Sequence, residues 1–123
     1  MRFRYDADVA IVNNGFLRSD CLFDAGKITY KMMAKMVPVL DGVCMLEVSG
    51  KTLLEALENG VSKYPAFDGR FPSVSGIKFT FDPTLPPLKR ILKESIVMEK
   101  GEFKDDGYYT LVVKAFLLLG FWF

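Results

Sequence analysis

Two amides, a glycine and an arginine, closely spaced behind an apolar run, are the residues of this chain best suited to chemistry with a ligand. Val9-Ala10-Ile11-Val12 leads into Asn13-Asn14-Gly15, and Arg18 follows. An amide side chain offers a donor and an acceptor together, and a guanidinium offers a planar fork for carboxylate or phosphate. A buried strand ending in such a turn is how a fold presents donors to a polar ligand. The bland reading of Arg18 is a surface ion pair with Asp20 or Asp24. Bond breaking finds no comparable equipment. The chain has no histidine, so a serine or cysteine nucleophile lacks its usual base, and nothing points to a lysine base.

Three other groups invite a chemical reading. Ser49-Gly50-Lys51-Thr52 looks like the end of a phosphate-binding loop, but the pattern needs a second glycine where Met45 stands, inside an apolar strand. Without the loop no backbone amides can wrap a phosphate, and the residues are better read as a helix start capped by Ser49 or Thr52. Asp6-x-Asp8 and Asp105-Asp106 could ligate a hard metal, although acidic residues at turns are common for turn formation alone. Phe116 opens an apolar tail and is either core or a ring for stacking on a ligand.

The elements that must position these groups are legible in outline. A chain of 123 residues is ordinarily one domain with one core. Half its residues are apolar and the net charge is +1, which implies neither disorder nor a dominant electrostatic field and argues against a nucleic-acid partner. Cys21 and Cys44 lack the spacing of a disulfide framework or a zinc knuckle, and Cys44 reads as a small core residue. No signal-peptide h-region opens the chain, and the apolar tail from Ala115 to Phe123 is less than half the ~20 residues of a membrane span. The tail is expected to pack through Leu119.

Along the chain, the apolar run before Asn13 reads as a strand and residues 14–26 as a polar loop. A helix is expected over Ile28 to Met36, closed by Pro38, and a strand over Val43 to Val48. From Thr52, Leu53, Leu54, Leu57 and Val61 recur at helical spacing, with Glu55, Glu58 and Lys63 toward water. Pro65 stops that helix, and residues 68–72 form a constrained loop. Strands follow at Ile77 to Phe81, Ile91 to Met98 and Tyr109 to Val113. The fold class expected is α+β (mixed α/β), with mixed sheets packed with helices.

Beyond these readings, Ala7-Asp8-Val9-Ala10-Ile11-Val12-Asn13-Asn14-Gly15-x-Leu17-Arg18-Ser19 resembles the opening of the C-terminal substrate-binding domain of the 5′-nucleotidase and UDP-sugar hydrolase family. Further blocks match in order: Gly26-Lys27-Ile28-Thr29-Tyr30, Glu47 to Val61, Gly69-Arg70-Phe71-Pro72-x-Val74-Ser75-Gly76, Phe81-Asp82-Pro83-x-x-Pro86-Pro87, and Tyr109-Thr110 before Lys114-x-Phe116-Leu117. The resemblance implies that Asn13 hydrogen-bonds a base or ribose, Arg18 holds ribose or phosphate, Gly69 allows close backbone approach, and Phe116 is one of two rings sandwiching the base. The second ring would follow Pro38, where this chain has Val39, and a ribose-binding aspartate would stand where it has Trp122.

The same resemblance implies a single domain over residues 1–123, cut at both ends, with Met1 to Tyr5 the remnant of a leading helix. It implies no catalytic residue, cofactor or metal in this chain. The partners would be a nucleotide or related phosphorylated small molecule and an N-terminal catalytic metallophosphoesterase domain holding two divalent metals. The alternative is a degenerate association module, a homodimer paired through Phe121, Trp122 and Phe123. A free-standing hydrolase is the third option.

Overall fold

The computed structural model describes residues 1–19 and 21–119. In chain order the elements are α1 (Arg2–Tyr5), β1 (Val9–Asn13), a 3-10 turn at Asn14–Phe16, α2 (Tyr30–Met36), β2 (Val43–Ser49), α3 (Gly50–Val61), β3 (Pro72–Ser75), β4 (Ile77–Phe81), β5 (Ile91–Met98), β6 (Tyr108–Lys114) and a 3-10 segment at Ala115–Leu119. A mixed sheet of order β2-β6-β1-β3 carries the two apolar strands β1 and β6 at its centre, paired in parallel with Val9 opposite Leu111 and Ile11 opposite Val113. The outer strands run antiparallel to them, and β4 and β5 form a separate hairpin. The fold class is the α+β arrangement expected.

The leucine stripe of α3 explains where the core sits. Leu53, Leu57 and Val61 are fully buried against Val9, Ile11, Leu111 and Val113 of the sheet and Ile77, Ile91 and Met98 of the hairpin. Burying such side chains stabilises by about 1.5–3 kcal/mol each, so α3 welds the two sheets together. Ser49 caps it as expected, its Oγ accepting from Thr52 N at 3.1 Å. Glu58 is a correction to the expected water-facing set. Only 8% exposed, it accepts from Arg90 N at 2.9 Å and Ile91 N at 2.8 Å, the first two amides of β5 and its approach.

Several boundaries also differ from expectation. Thr29 caps α2 through Met32 N, so the helix starts after Ile28. β3 emerges inside what reads as loop and turn, because its proline lies on a sheet edge where a missing N–H is tolerated. Cys44 is half-buried on the edge strand β2. Of the tail expected to pack through Leu119, Leu117 alone is buried, with Leu118 and Leu119 exposed. Phe121, Trp122 and Phe123 lie outside the described residues, as does Asp20. Among the described residues no helix is long and apolar enough to cross a membrane.

Asp8 ties the two central strands where β1 begins. Its Oδ2 accepts from Thr110 N at 2.8 Å and Thr110 Oγ1 at 2.7 Å, while Asp8 N donates to the same hydroxyl at 2.9 Å. The Thr110 amide bond, aided by the hydroxyl and by Lys100, outweighs partial burial and holds the Asp8 carboxyl below its ordinary 3.8. A folded state that holds its protons less tightly than the unfolded chain gains stability above the ordinary value and loses it as pH falls through the lowered one. Asp8→Asn is therefore expected to lower stability to urea by about 1–2 kcal/mol at neutral pH. The deficit should shrink as both proteins are taken to about pH 2.

Candidate functional site

Because β1 and β6 run parallel, their carboxyl ends lie side by side, and the chain continues from them into the Asn14–Phe16 turn and the Ala115–Leu119 segment. A cleft of about 610 Å³ opens at that edge, lined by Asn13, Gly15, Phe16, Arg18, Val39, Leu40, Asp41, Gly69 and Phe116. All four residues singled out in the sequence, Asn13, Arg18, Gly69 and Phe116, border this one cavity. They come from chain positions 13 to 116.

Each is held by identifiable contacts. Asn13 is 6% exposed and donates from Nδ2 to Gly69 O at 3.3 Å. Among the described residues nothing donates to its Oδ1, so a buried acceptor at the cleft wall is left without a protein partner there. Gly15 N donates to the same Gly69 carbonyl at 2.8 Å, and a Cβ on Gly15 would lie 2.9 Å from Gly69 Cα. The close backbone approach implied at Gly69 is thus first an approach of the two glycine segments to each other. Arg18 donates from Nε to Gly15 O at 2.8 Å, and its own amide donates to Met36 O at 2.7 Å. That fixes the base of the side chain and leaves both terminal guanidinium nitrogens without an acceptor among the described residues. Phe116 is 41% exposed, a ring at a cleft wall rather than a core residue.

The loop bringing Gly69 to the site is anchored from behind. Asp68 Oδ1 accepts from Arg70 N at 2.9 Å and Arg70 Nε at 3.0 Å, and the Arg70 amide bond chiefly holds its carboxyl below the ordinary range. Tyr64, Phe71 and Phe81 pack as tilted and edge-on rings with centroids 5.2 to 6.2 Å apart. Arg90 grips the end of α3, its Nη1 donating to Val61 O at 2.9 Å, Ser62 O at 3.1 Å and Tyr64 O at 2.7 Å, and its Nε to Leu85 O at 3.0 Å.

Sequence reading missed Phe16, Asp41 and Lys114. Phe16 sat within a segment read as polar loop, and Asp41 lies on an unpatterned connection. In the structure Asp41 Oδ2 accepts from Phe116 N at 3.2 Å, Ala115 N donates to Gly42 O at 2.8 Å, and Lys114 Nζ donates to Asp41 O. Asp41 thus borders the cleft while bracing the segment that carries Phe116. Val39, the aliphatic residue in the second-ring position, does line the cavity and is 52% exposed.

The remaining candidates are structural. Gly50 N donates to Gly107 O at 2.8 Å and Lys51 N to Asp105 O at 3.0 Å, so protein carbonyls occupy the opening amides of α3 that a phosphate would need. Asp6 pairs with Lys100 at 3.2 Å, and Asp105 pairs with Lys93. Among the described residues no three His, Cys, Asp or Glu side chains gather as a metal cage.

Fold and cleft together define a class: an α+β domain with a polar and aromatic cleft where its parallel central strands end. The family described as 5′-nucleotidase, C-terminal domain matches residues 1–121. The trifunctional nucleotide phosphoesterase protein YfkN of Bacillus subtilis is 31% identical over 117 residues, covering 93% of this chain and 8% of that protein. Human 5′-nucleotidase is 28% identical over 119 residues, covering 91% and 21%. The 5′-nucleotidase precursor of Thermus thermophilus superposes with a TM-score of 0.81 at 27% identity, over 97% of this chain and 24% of that one. This chain belongs to the 5′-nucleotidase C-terminal domain family. It spans about a fifth or less of the length of the curated relatives named above.

Proposed function

We infer that this domain holds the nucleoside part of a nucleotide in the cleft between Asn13 and Phe116. An N-terminal metallophosphoesterase domain with two divalent metals would hydrolyse the phosphate ester. The observation that carries the reading is the convergence of a buried amide, a fork-shaped cation and an aromatic ring on one cavity. The chemistry suits the ligand. A base has a face to stack and edges to hydrogen-bond, while ribose and phosphate oxygens accept from a guanidinium. The names of the relatives, a nucleotide phosphoesterase and 5′-nucleotidases, support the same class of ligand. The described residues of this chain do not fit the two metal ions, having no suitable donor cluster, so no hydrolytic step is assigned to them.

Isothermal titration of the folded chain with AMP, adenosine and UDP-glucose tests the reading. Saturable heat is expected with at least one of them, and none at millimolar ligand would overturn nucleoside binding. Arg18→Ala should weaken AMP about tenfold or more, the loss of a charge-assisted hydrogen bond. An unchanged affinity would return Arg18 to the role of a surface cation.

A further inference from the structure

We propose that Phe16 is the second aromatic wall of the cleft, replacing the ring that Val39 cannot supply, and that Lys114 tunes its stacking face. The inference rests on the nucleoside-binding reading and adds the residue that selects for a planar ring. Phe16 borders the cavity together with Phe116 and Val39. The 3-10 turn fixes its direction, since Gly15 N is bound to Gly69 O at 2.8 Å and Leu17 N to Asn14 O at 3.0 Å on either side of it. A valine has no π-face, so a base lying on Val39 gains contact area but no stacking.

What distinguishes Phe16 from any ring at a cavity wall is the cation against it. Lys114 Nζ lies 4.7 Å from the ring centroid. The residue is only 8% exposed, and among the described residues no carboxylate stands within ion-pair distance of its ammonium. A poorly hydrated cation interacts strongly with a ring quadrupole. It draws π-density toward itself and leaves the opposite face better matched to an electron-rich ring. A purine base has that character, and a sugar phosphate does not. Lys114 is the last residue of β6 and Phe116 follows two residues on, in the Ala115–Leu119 segment, so the charge against one ring and the second ring of the cavity wall come from adjoining stretches of chain.

The test compares adenosine with ribose 5-phosphate on the full chain, by titration calorimetry. Phe16→Leu keeps apolar bulk and removes the π-face; it should weaken adenosine about tenfold and ribose 5-phosphate less than twofold. Phe16→Tyr should restore adenosine binding. Lys114→Met should weaken adenosine severalfold in the parent but not in the Phe16→Leu background, and circular dichroism confirms that each variant is folded. Equal loss of both ligands in Phe16→Leu, or no loss of adenosine, would overturn the proposal. If Phe116→Leu alone weakens adenosine, nucleoside binding stands and the role of Phe16 falls. If the parent binds no adenosine, both fall.

Discussion

Arg90→Met is expected to lower the unfolding free energy by about 3–5 kcal/mol, measured by urea denaturation at neutral pH. The nearly buried guanidinium supplies hydrogen bonds to Val61, Ser62 and Tyr64 carbonyls at the end of α3 and to Leu85. It also brings positive charge to the negative end of the helix dipole. Methionine fills similar space with no donor; Val61 O keeps its bond from Tyr64 N at 3.2 Å, but the Ser62, Tyr64 and Leu85 carbonyls lose their guanidinium donor, at about 1–3 kcal/mol for each one that stays dry. The contact is one half of a reciprocal clasp, because Glu58 of α3 takes the Arg90 and Ile91 amides in return. Removing the side chain leaves the Glu58 half in place, since its donors are backbone amides, and strands the acceptors beyond the end of α3 and at Leu85. Arg90→Lys should recover less than half of the loss, since one ammonium cannot reach both the helix end and Leu85. The loop carrying Gly69 leaves α3 directly after the gripped residues, so ligand affinity in the cleft should fall with stability.

Gly76→Ala is expected to be comparably damaging, lowering stability by about 3 kcal/mol or more, with a matching drop in the thermal midpoint. Two effects combine. Its φ of +87° is a conformation that L side chains rarely adopt, and a Cβ there would lie 2.0 Å from Asp8 O and 2.9 Å from Arg2 Cδ. Both neighbours are already committed. Asp8 is bound to Thr110, and Arg2 donates to Ser75 Oγ at 3.0 Å and to Glu99 Oε2 at 2.5 Å. Gly76 is the single residue between β3 and β4, where the chain passes from the four-stranded sheet to the hairpin. A shift there displaces the start of β1, and a midpoint within about 2 °C of the parent would contradict the account.

What the sequence disclosed and withheld follows from the range of the forces involved. β1, its amide turn and the leucine stripe of α3 are written in local patterns, apolar runs and helical spacing, and they emerged as read. Asn13, Arg18, Gly69 and Phe116 were singled out by residue type and family resemblance, and their meeting at one cleft is a property of parallel pairing that no local window contains. Glu58 was misjudged for the same reason. On a helical wheel it flanks the polar face, and its acceptors find donors only because β5 begins beside α3. Phe16 was hidden by polar neighbours, and its significance depends on Lys114, almost a hundred residues away. β3 was obscured by a proline that an edge position accommodates.

The side-by-side pairing of β1 and β6 makes the sheet a ruler. Adjacent strands are about 4.8 Å apart whatever their side chains, so the ladder that ends at Ile11 opposite Val113 fixes the spacing of the two strand ends from which the chain runs on to the amide at position 13 and the ring at position 116. The residues from 21 to 42 hang outside that ladder and contribute Val39, Leu40 and Asp41 to the rim. Substitutions there can reshape the mouth while the gauge between the two poles stays constant. A scaffold of this kind can change its guest by altering one strap and leave its grip intact.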